Sequence, residues 1–516
     1  METVLVWHRA DLRTADNAAL AAAARDDAAR PVPAFVVDPS YYGDDALACD
    51  ARRRFLHESL RDLRRQYRDL GSDLALLHGD PHERLRVLLD DGPVDAIYVN
   101  RDVTARGGRE RDRAIGSWDA VDFFADDGIV RPSPGRRDPD GTVRVNTRDG
   151  WQEHCESYFE ADPRPRPDAL PENPIRSDVT IAEIEDRYDV VPEKRAVPEG
   201  GTVAANDRLS TFIDRIADYP ASVSPPAAAE DGTSRLSPSL KFGCLSPRQV
   251  YRALQDAPDC RGKSMFESRL FWNRHYTQKL ADWPGWTERS VNPVFRGFRR
   301  SEHDPDLVAA WQEGRTGFPM VDASMRALVE TGFLNFRMRA MVASFFTYIL
   351  REWWRRGADF VYRHLIDADP AINYTQWQSQ AGLVGVHPIR VYDPAKQVRE
   401  KDPDGAFVRE YVPELTPLPD EHLPRPAKAP LAVQQAAGVE IGADYPYPVV
   451  DFEARADRAR EEMARLDDRA KEAIYEDTRV GRRASLPRSG GRDRAGERED
   501  DGGPGDGQAR LSDYSS

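Results

Sequence analysis

The chain has 516 residues, 40% of them hydrophobic and 31% charged, with a formal net charge of −15. That length exceeds one ordinary core and implies two or three domains. The acid excess, set against basic residues that are nearly all arginine, excludes a diffuse basic nucleic-acid footprint and suits a halophilic surface that stays hydrated at high salt; a local arginine patch remains compatible with it.

Apolar runs at 4–7, 32–37, 74–77 and 96–99 read as short buried parallel strands, and helical patterns at 53–67 and 82–89 fall between them. Strands alternating with helices predict an α/β domain over residues 1–130, a parallel sheet with flanking helices. Neither a GxGxxG nor a P-loop follows the first strand. Residues 131–204 are rich in proline and acid and read as an interdomain connector. Helical periodicity dominates 205–450, which predicts an all-helical domain. Residues 451–480 read as one charged amphipathic helix, and 481–516 are too rich in Gly, Asp and Arg to bury a core, so a disordered tail is expected.

Cys49, Cys155, Cys244 and Cys260 lie far apart with no CxxC pair. They read as free thiols of a reducing cytoplasm, and no metal site is expected. The first residues lack a basic n-region, and no segment reaches about 18 apolar residues. A cytoplasmic protein that spans no membrane is expected.

Two segments carry chemistry. At 232–243 the hydroxyls of Thr233, Ser234 and Ser237 precede Pro238, a residue suited to a first helical turn. Such a cluster can cradle an anion, although a plain N-cap has the same signature. Further on, a proline-free helix over 333–354 would place Arg339, Ala343, Phe346, Leu350 and Trp354 on one face. An arginine on an apolar face needs a carboxylate or an anionic ligand, and Asp367 and Asp369 are the nearest carboxylates that suit. The pair can equally be a tie between two helices.

Together 232–243, 316–332 and 365–377 resemble the cryptochrome/photolyase family. The opening 5–17, Gln397, 402–405 and 412–415 fit the same pattern. The resemblance covers about residues 1–130 and 205–455. It implies an α/β antenna domain joined to a helical domain that holds FAD. Thr233, Ser234, Leu236 and Ser237 would take the flavin phosphates, and Arg235, Phe266 and Ala368 would line the cofactor site. Arg339 and Asp367 would pair beside the isoalloxazine, Asp369 would meet its polar edge or the ribose, and Asn373 would face N5. Trp377 and then Trp354 would carry electrons to the flavin.

The activity implied is light-dependent repair of DNA containing cyclobutane pyrimidine dimers, split by an electron from excited reduced FAD, in a monomeric protein. Arg269, Trp272, Asn273 and Arg274 fall on the family's lesion-facing helix, with Trp272 stacking on the dimer. The chain departs from the best-known photolyases on this side. It has Arg269 for a glutamate, Asn273-Arg274 for Arg-Glu, Asn335-Phe336 for His-Asn, Ala340 for a methionine and Ser379 for a second tryptophan. The absence of a His-His pair at Asn335-Phe336 argues against acid–base repair of (6-4) products. Ser301 replaces the distal tryptophan, leaving Trp311, Trp353 or Tyr348 to complete the electron chain. Two other readings stand: a cryptochrome-like light sensor that moves its C-terminal segment, and a nucleic-acid-binding flavoprotein without photochemistry. A second chromophore, folate or a deazaflavin, is left open by Asn100-Arg101-Asp102, which lacks the Asn-Glu of folate-binding relatives.

Overall fold

Alternation within the first strand sets the layering. Val4 and Val6 face one side of the sheet and Leu5 and Trp7 the other, and each set joins a separate buried cluster. Both faces are covered, as a parallel sheet requires. In this computed structural model, which describes residues 1–103, 106–132, 135–386 and 389–487, the strands are β1 (Glu2–His8), β2 (Ala29–Val37), β3 (Ala75–His78), β4 (Ala96–Asn100) and β5 (Val121–Phe124). All pair in parallel in the order β3-β2-β1-β4-β5. The fifth strand, Val-Asp-Phe-Phe, lies at the sheet edge with little of it fully buried, which is why its short sequence gives no apolar run.

The crevice at the strand ends, where order reverses between β1 and β4, is the usual ligand position of such sheets. Here protein groups occupy much of it. Asn100 Nδ2 donates to Asp11 Oδ2 at 2.5 Å and Asn17 Oδ1 at 2.8 Å, and its Oδ1 accepts from Ala19 N at 3.0 Å. Both amide hydrogens of Asn100 are thus taken by the opening motif itself.

The rest of the chain is helical to Arg483. One face of the sheet shares a core with it, in which Phe55, Leu236, Phe242 and Phe266 are buried together. A second core around Trp311, Phe345, Phe346 and Trp377 lies wholly in the helical part. Two buried arginines join the parts. Arg248, from the helix Pro247–Gln255, pairs with Asp16 just after β1, and the two side chains are 3% and 1% exposed. Breaking such a pair costs about 3–5 kcal/mol because a buried charge is left alone. Arg52, from the helix Asp50–Asp69, donates to the carbonyls of Tyr362, Arg363 and Leu365 at 2.5, 2.9 and 2.9 Å. It thereby satisfies the open C-terminal end of the helix Trp354–His364 and fixes where the next residues, Ile366 and Asp367, emerge.

The predicted single helix over 333–354 is interrupted. It runs as an α-helix over Phe336–Ser344, widens to a π-turn over Phe345–Ile349, breaks at Arg351 with φ +64°, and restarts at Trp354. Trp354 therefore does not share a helix face with Arg339. The break is held by Arg299, which donates to the Thr347 carbonyl and pairs with Glu462.

The connector is ordered on the sheet side. Asn173 Nδ2 donates to the carbonyls of Pro33 and Asp73, and a capping box at Thr180 starts the helix Ile181–Arg187. The charged helix Phe452–Tyr475 is followed by a short one, Thr478–Arg483. Of the tail expected to be disordered from 481, residues 481–487 are docked: Arg483 pairs with Asp140, and its carbonyl accepts from Trp286 Nε1 at 3.0 Å. Residues 488–516 lie outside the described residues.

Candidate functional site

Four elements converge on one region. The helix Phe336–Ser344 starts at Asn335, whose side chain caps Met338 N at 3.0 Å. One turn in, Arg339 is held by its Nε to the Leu334 carbonyl at 2.8 Å, and its Nη2 lies 3.0 Å from both Asp367 oxygens. The two side chains are 19% and 12% exposed. Nη1 meets no protein acceptor among the described residues and is left for a ligand.

Asp367 is placed by its neighbours. Ile366 N donates to the Gly332 carbonyl at 3.1 Å, and Gly332 ends its helix at φ +68°. A Cβ at Gly332 would come 2.7 Å from Ile366 Cγ1, so glycine is required there for both conformation and space. Ala368 is buried. Asp369 caps the helix Pro370–Gln380 through Ala371 N at 2.7 Å and Ile372 N at 3.2 Å, while its Oδ2 lies 3.6 Å from Lys241 Nζ. Asn373 is buried and donates from Nδ2 to the Ala358 carbonyl at 3.1 Å. That bond fixes its amide, and no protein donor reaches Oδ1 among the described residues.

Lys241 ends the short helix Ser237–Lys241 and so ties the hydroxyl loop to the Asp367–Asp369 turn. In the loop, Thr233 Oγ1 donates to the Ala229 carbonyl at 2.7 Å and Ser234 Oγ accepts from Leu236 N at 3.4 Å. Leu236 is buried in the core, whereas Ser237 is exposed. Arg235 adopts φ +50° and turns its guanidinium onto the Phe333 ring at 4.1 Å, bonded to the Ala196 carbonyl at 3.2 Å. Its side chain is thus committed to the protein. Burial pulls its guanidinium below the usual range, against the pull of Glu230 and Asp367.

The helix Arg261–Asp282 carries the predicted lesion face. Arg269, Trp272, Asn273 and Tyr276 recur at helical spacing along one side, and Phe266, one turn earlier, is buried against Phe212 and Tyr219. Trp272 is half-buried between His275 and Tyr276, and its Nε1 has no hydrogen-bond partner among the described residues. Arg274 belongs elsewhere. At 100° per residue it lies about 140° round the helix from Arg269, and it bonds Asn273 Oδ1 at 2.9 Å and the Asp127 carbonyl at 3.4 Å, toward the α/β domain.

Sequence reasoning missed the inner side of this helix. Arg148 meets His275 Nδ1 at 3.0 Å, and Asp282 accepts from Thr147 and, at 2.8 Å, from Gln278 Nε2. Burial pushes the Asp282 carboxyl up to about 6 and pulls the Lys279 ammonium down to about 8. The contacts of Arg148 with His275 and of Thr147 with Asp282 span more than 120 residues of sequence, and no local pattern announces them.

Trp377 and Trp354 are both buried. The Trp377 indole meets Phe346 at 5.9 Å and Trp311 at 6.3 Å, edge to face. Of the three residues expected to finish the electron chain, Trp311 is in that contact, and Trp353 is half-buried between the guanidiniums of Arg300 and Arg356 at 5.2 and 5.7 Å. Tyr348 is fully buried, and its hydroxyl has no partner among the described residues. Trp354 instead meets Tyr374 at 6.4 Å.

Known proteins match this architecture along its length. Residues 4–166 match the family described as DNA photolyase, and residues 266–465 match the FAD binding domain of DNA photolyase. A deoxyribodipyrimidine photo-lyase of Synechococcus is 31% identical over 92% of this chain and 98% of its own length. A cryptochrome DASH of Gloeobacter violaceus is 32% identical over 87% of this chain and 93% of its own. A class III photolyase structure from Agrobacterium tumefaciens superposes with a TM-score of 0.75 at 29% identity, covering 91% of this chain and 98% of that one. The chain belongs to the cryptochrome/photolyase family, and its cofactor is FAD.

The residues present fit that cofactor. A fixed guanidinium with a spare donor and an oriented amide oxygen suit the polar edge of a flavin. The hydroxyls of Ser234 and Ser237, with Lys241 nearby, suit its phosphates. Among the described residues no helix is long and apolar enough to cross a membrane, and no cluster of His, Cys, Asp or Glu could hold a metal.

Proposed function

We propose that this chain is a light-driven DNA repair enzyme acting on cyclobutane pyrimidine dimers. The observation that carries the reading is the pairing of a donor set fitted to FAD with a half-buried tryptophan, Trp272, on the helix that runs beside it. Bound reduced FAD supplies the light-excited electron that splits the dimer.

The residues divide the remaining work. Arg339 and Asp367 hold the isoalloxazine edge, and the permanent charge of Arg339 favours negative charge there. Asn373 orients its free oxygen toward the same edge. The hydroxyls of Thr233, Ser234 and Ser237 and the backbone at Arg235 and Leu236 hold the phosphates, while Asp369 and Ala368 shape the ribose side. Phe266, one turn before Arg269 on the lesion helix, packs against Phe212 and Tyr219 and sets the helix's position. Trp272 stacks on a flipped-out lesion, whose weak pairing lowers the cost of extrusion. Arg269 and Asn273 contact the adjacent strand. Arg274 supports the helix from behind, since its side chain faces the α/β domain. Trp377 and Trp354 pass electrons inward to keep the cofactor reduced.

A sensor reading has its own support. The cryptochrome DASH relative is as similar in sequence as the photo-lyase, and residues 478–487 dock on Trp283 and Trp286 as a segment that could be released. The two readings separate on light-dependent loss of dimers from DNA, which repair requires and sensing does not.

A further inference from the structure

We propose that Tyr374 is a redox-active residue that refills Trp354, with Asp359 as acceptor of its proton. The proposal rests on the reading that Trp377 and Trp354 relay electrons, and it supplies the donor that Ser301 cannot provide.

The geometry is specific. Tyr374, on the helix Pro370–Gln380, stands edge-on to Trp354 with centroids 6.4 Å apart. Its hydroxyl donates to Asp359 Oδ1 at 2.8 Å. Tyr362 stacks on its other side at 5.5 Å with an interplanar angle of 19°, leading outward to a half-buried ring. Tyr374 itself is 4% exposed, so neither water nor bulk base can take its proton. Burial, with Asp359 beside it, pushes the phenol well above its usual value, so the resting ring is protonated.

Charge around the ring dictates the chemistry. The Arg355 guanidinium lies 4.8 Å over Tyr374 and pairs through Nε with Asp359 at 2.6 Å. A cation over the ring opposes positive charge on it. Tyrosine oxidation here must therefore lose the proton as the electron leaves, and the hydrogen-bonded carboxylate is placed to receive it. Trp353, a rival donor, is flanked by two guanidiniums and has no such acceptor among the described residues, which makes its oxidation unfavourable.

The balance is complete. Trp377 loses one electron to the light-excited oxidised flavin, Trp354 refills Trp377, and Tyr374 refills Trp354. The phenolic O–H bond breaks, its proton passes to Asp359 Oδ1, and Tyr374 is left as a neutral phenoxyl radical with both tryptophans restored.

The test is time-resolved electron paramagnetic resonance of the holoprotein with oxidised FAD after a blue flash, in water and in deuterium oxide. Wild type should give a tyrosyl signal whose formation slows at least twofold in deuterium oxide. Tyr374→Phe should remove that signal and leave a tryptophan radical that decays at least tenfold faster. Asp359→Asn, which keeps a hydrogen-bonding group without a carboxylate, should slow tyrosyl formation and abolish the isotope effect, and Trp353→Phe should change nothing. A tryptophan radical alone in wild type, or an unchanged tyrosyl signal in Tyr374→Phe with FAD retained, would overturn the proposal. No tryptophan radical at all in wild type would overturn the relay reading with it. Dimer repair by chemically reduced Tyr374→Phe should match wild type, which keeps this test independent of the repair assignment.

Discussion

Gly357 lies against the indole of Trp377: a Cβ added at Gly357 would come 2.4 Å from Trp377 Cη2 and 2.8 Å from Phe346 Cδ1. The helix Trp354–His364 thus carries a glycine in its interior, where one ordinarily costs about 0.5–1 kcal/mol relative to alanine. Close approach of the ring is what that cost secures. Gly357→Ala should gain the helical preference and lose more by overpacking, typically 1–3 kcal/mol, for a net destabilisation of about 1 kcal/mol. Urea midpoints measure it, and photoreduction of bound FAD should slow as Trp377 shifts.

Removing one member of the Arg339–Asp367 pair leaves the other charge poorly partnered in a largely buried site. Arg339→Met and Asp367→Asn should each purify with less than a tenth of the wild-type flavin per protein while still folding, with a stability loss of about 1–3 kcal/mol. Flavin absorbance against total protein, with circular dichroism for the fold, gives the answer.

The buried Asp282 sets a pH dependence. Its folded carboxyl, near 6, lies above the ordinary 3.8, so the protonated form is the one the fold favours. Its stabilising contribution is therefore full below about pH 4 and is lost as pH rises through about 6, a penalty on the order of 3 kcal/mol at neutral pH. Asp282→Asn should be more stable than wild type at about pH 8 and show no such gain at about pH 4. Equal differences at both values would exclude the effect.

On the DNA side, Trp272→Ala should weaken binding of dimer-containing DNA by about 1–3 kcal/mol, roughly 5- to 150-fold, through lost stacking. Binding to undamaged duplex, which makes no such stack, should change little. Titration by fluorescence anisotropy at fixed salt compares the two.

How far the sequence carries the structure depends on the range of each signal. Strands β1 to β4 were legible because both faces are buried and their apolar runs are continuous, whereas β5 has one exposed and three half-buried residues and gave no run. The need of Arg339 for a carboxylate was legible from an arginine on an apolar face, and Asp367 meets it. The break between Ser344 and Trp354 was not, since no proline or glycine marks it and it is held from outside by Arg299 and Glu462. Arg274 looked like a DNA contact beside Asn273, but consecutive helix positions point 100° apart and it faces the α/β domain. Tyr374 escaped notice for a similar reason, because its partners Asp359 and Tyr362 come from another helix.

The account is tested most directly with an oligonucleotide carrying one cyclobutane dimer, incubated at high salt with the reduced holoprotein in blue light and in darkness. Loss of the dimer in light alone, and its loss to Trp272→Ala at a much lower rate at subsaturating DNA, is the predicted result. An intact dimer in light, with FAD bound and fully reduced, would contradict the repair function and leave the light-sensor reading in its place.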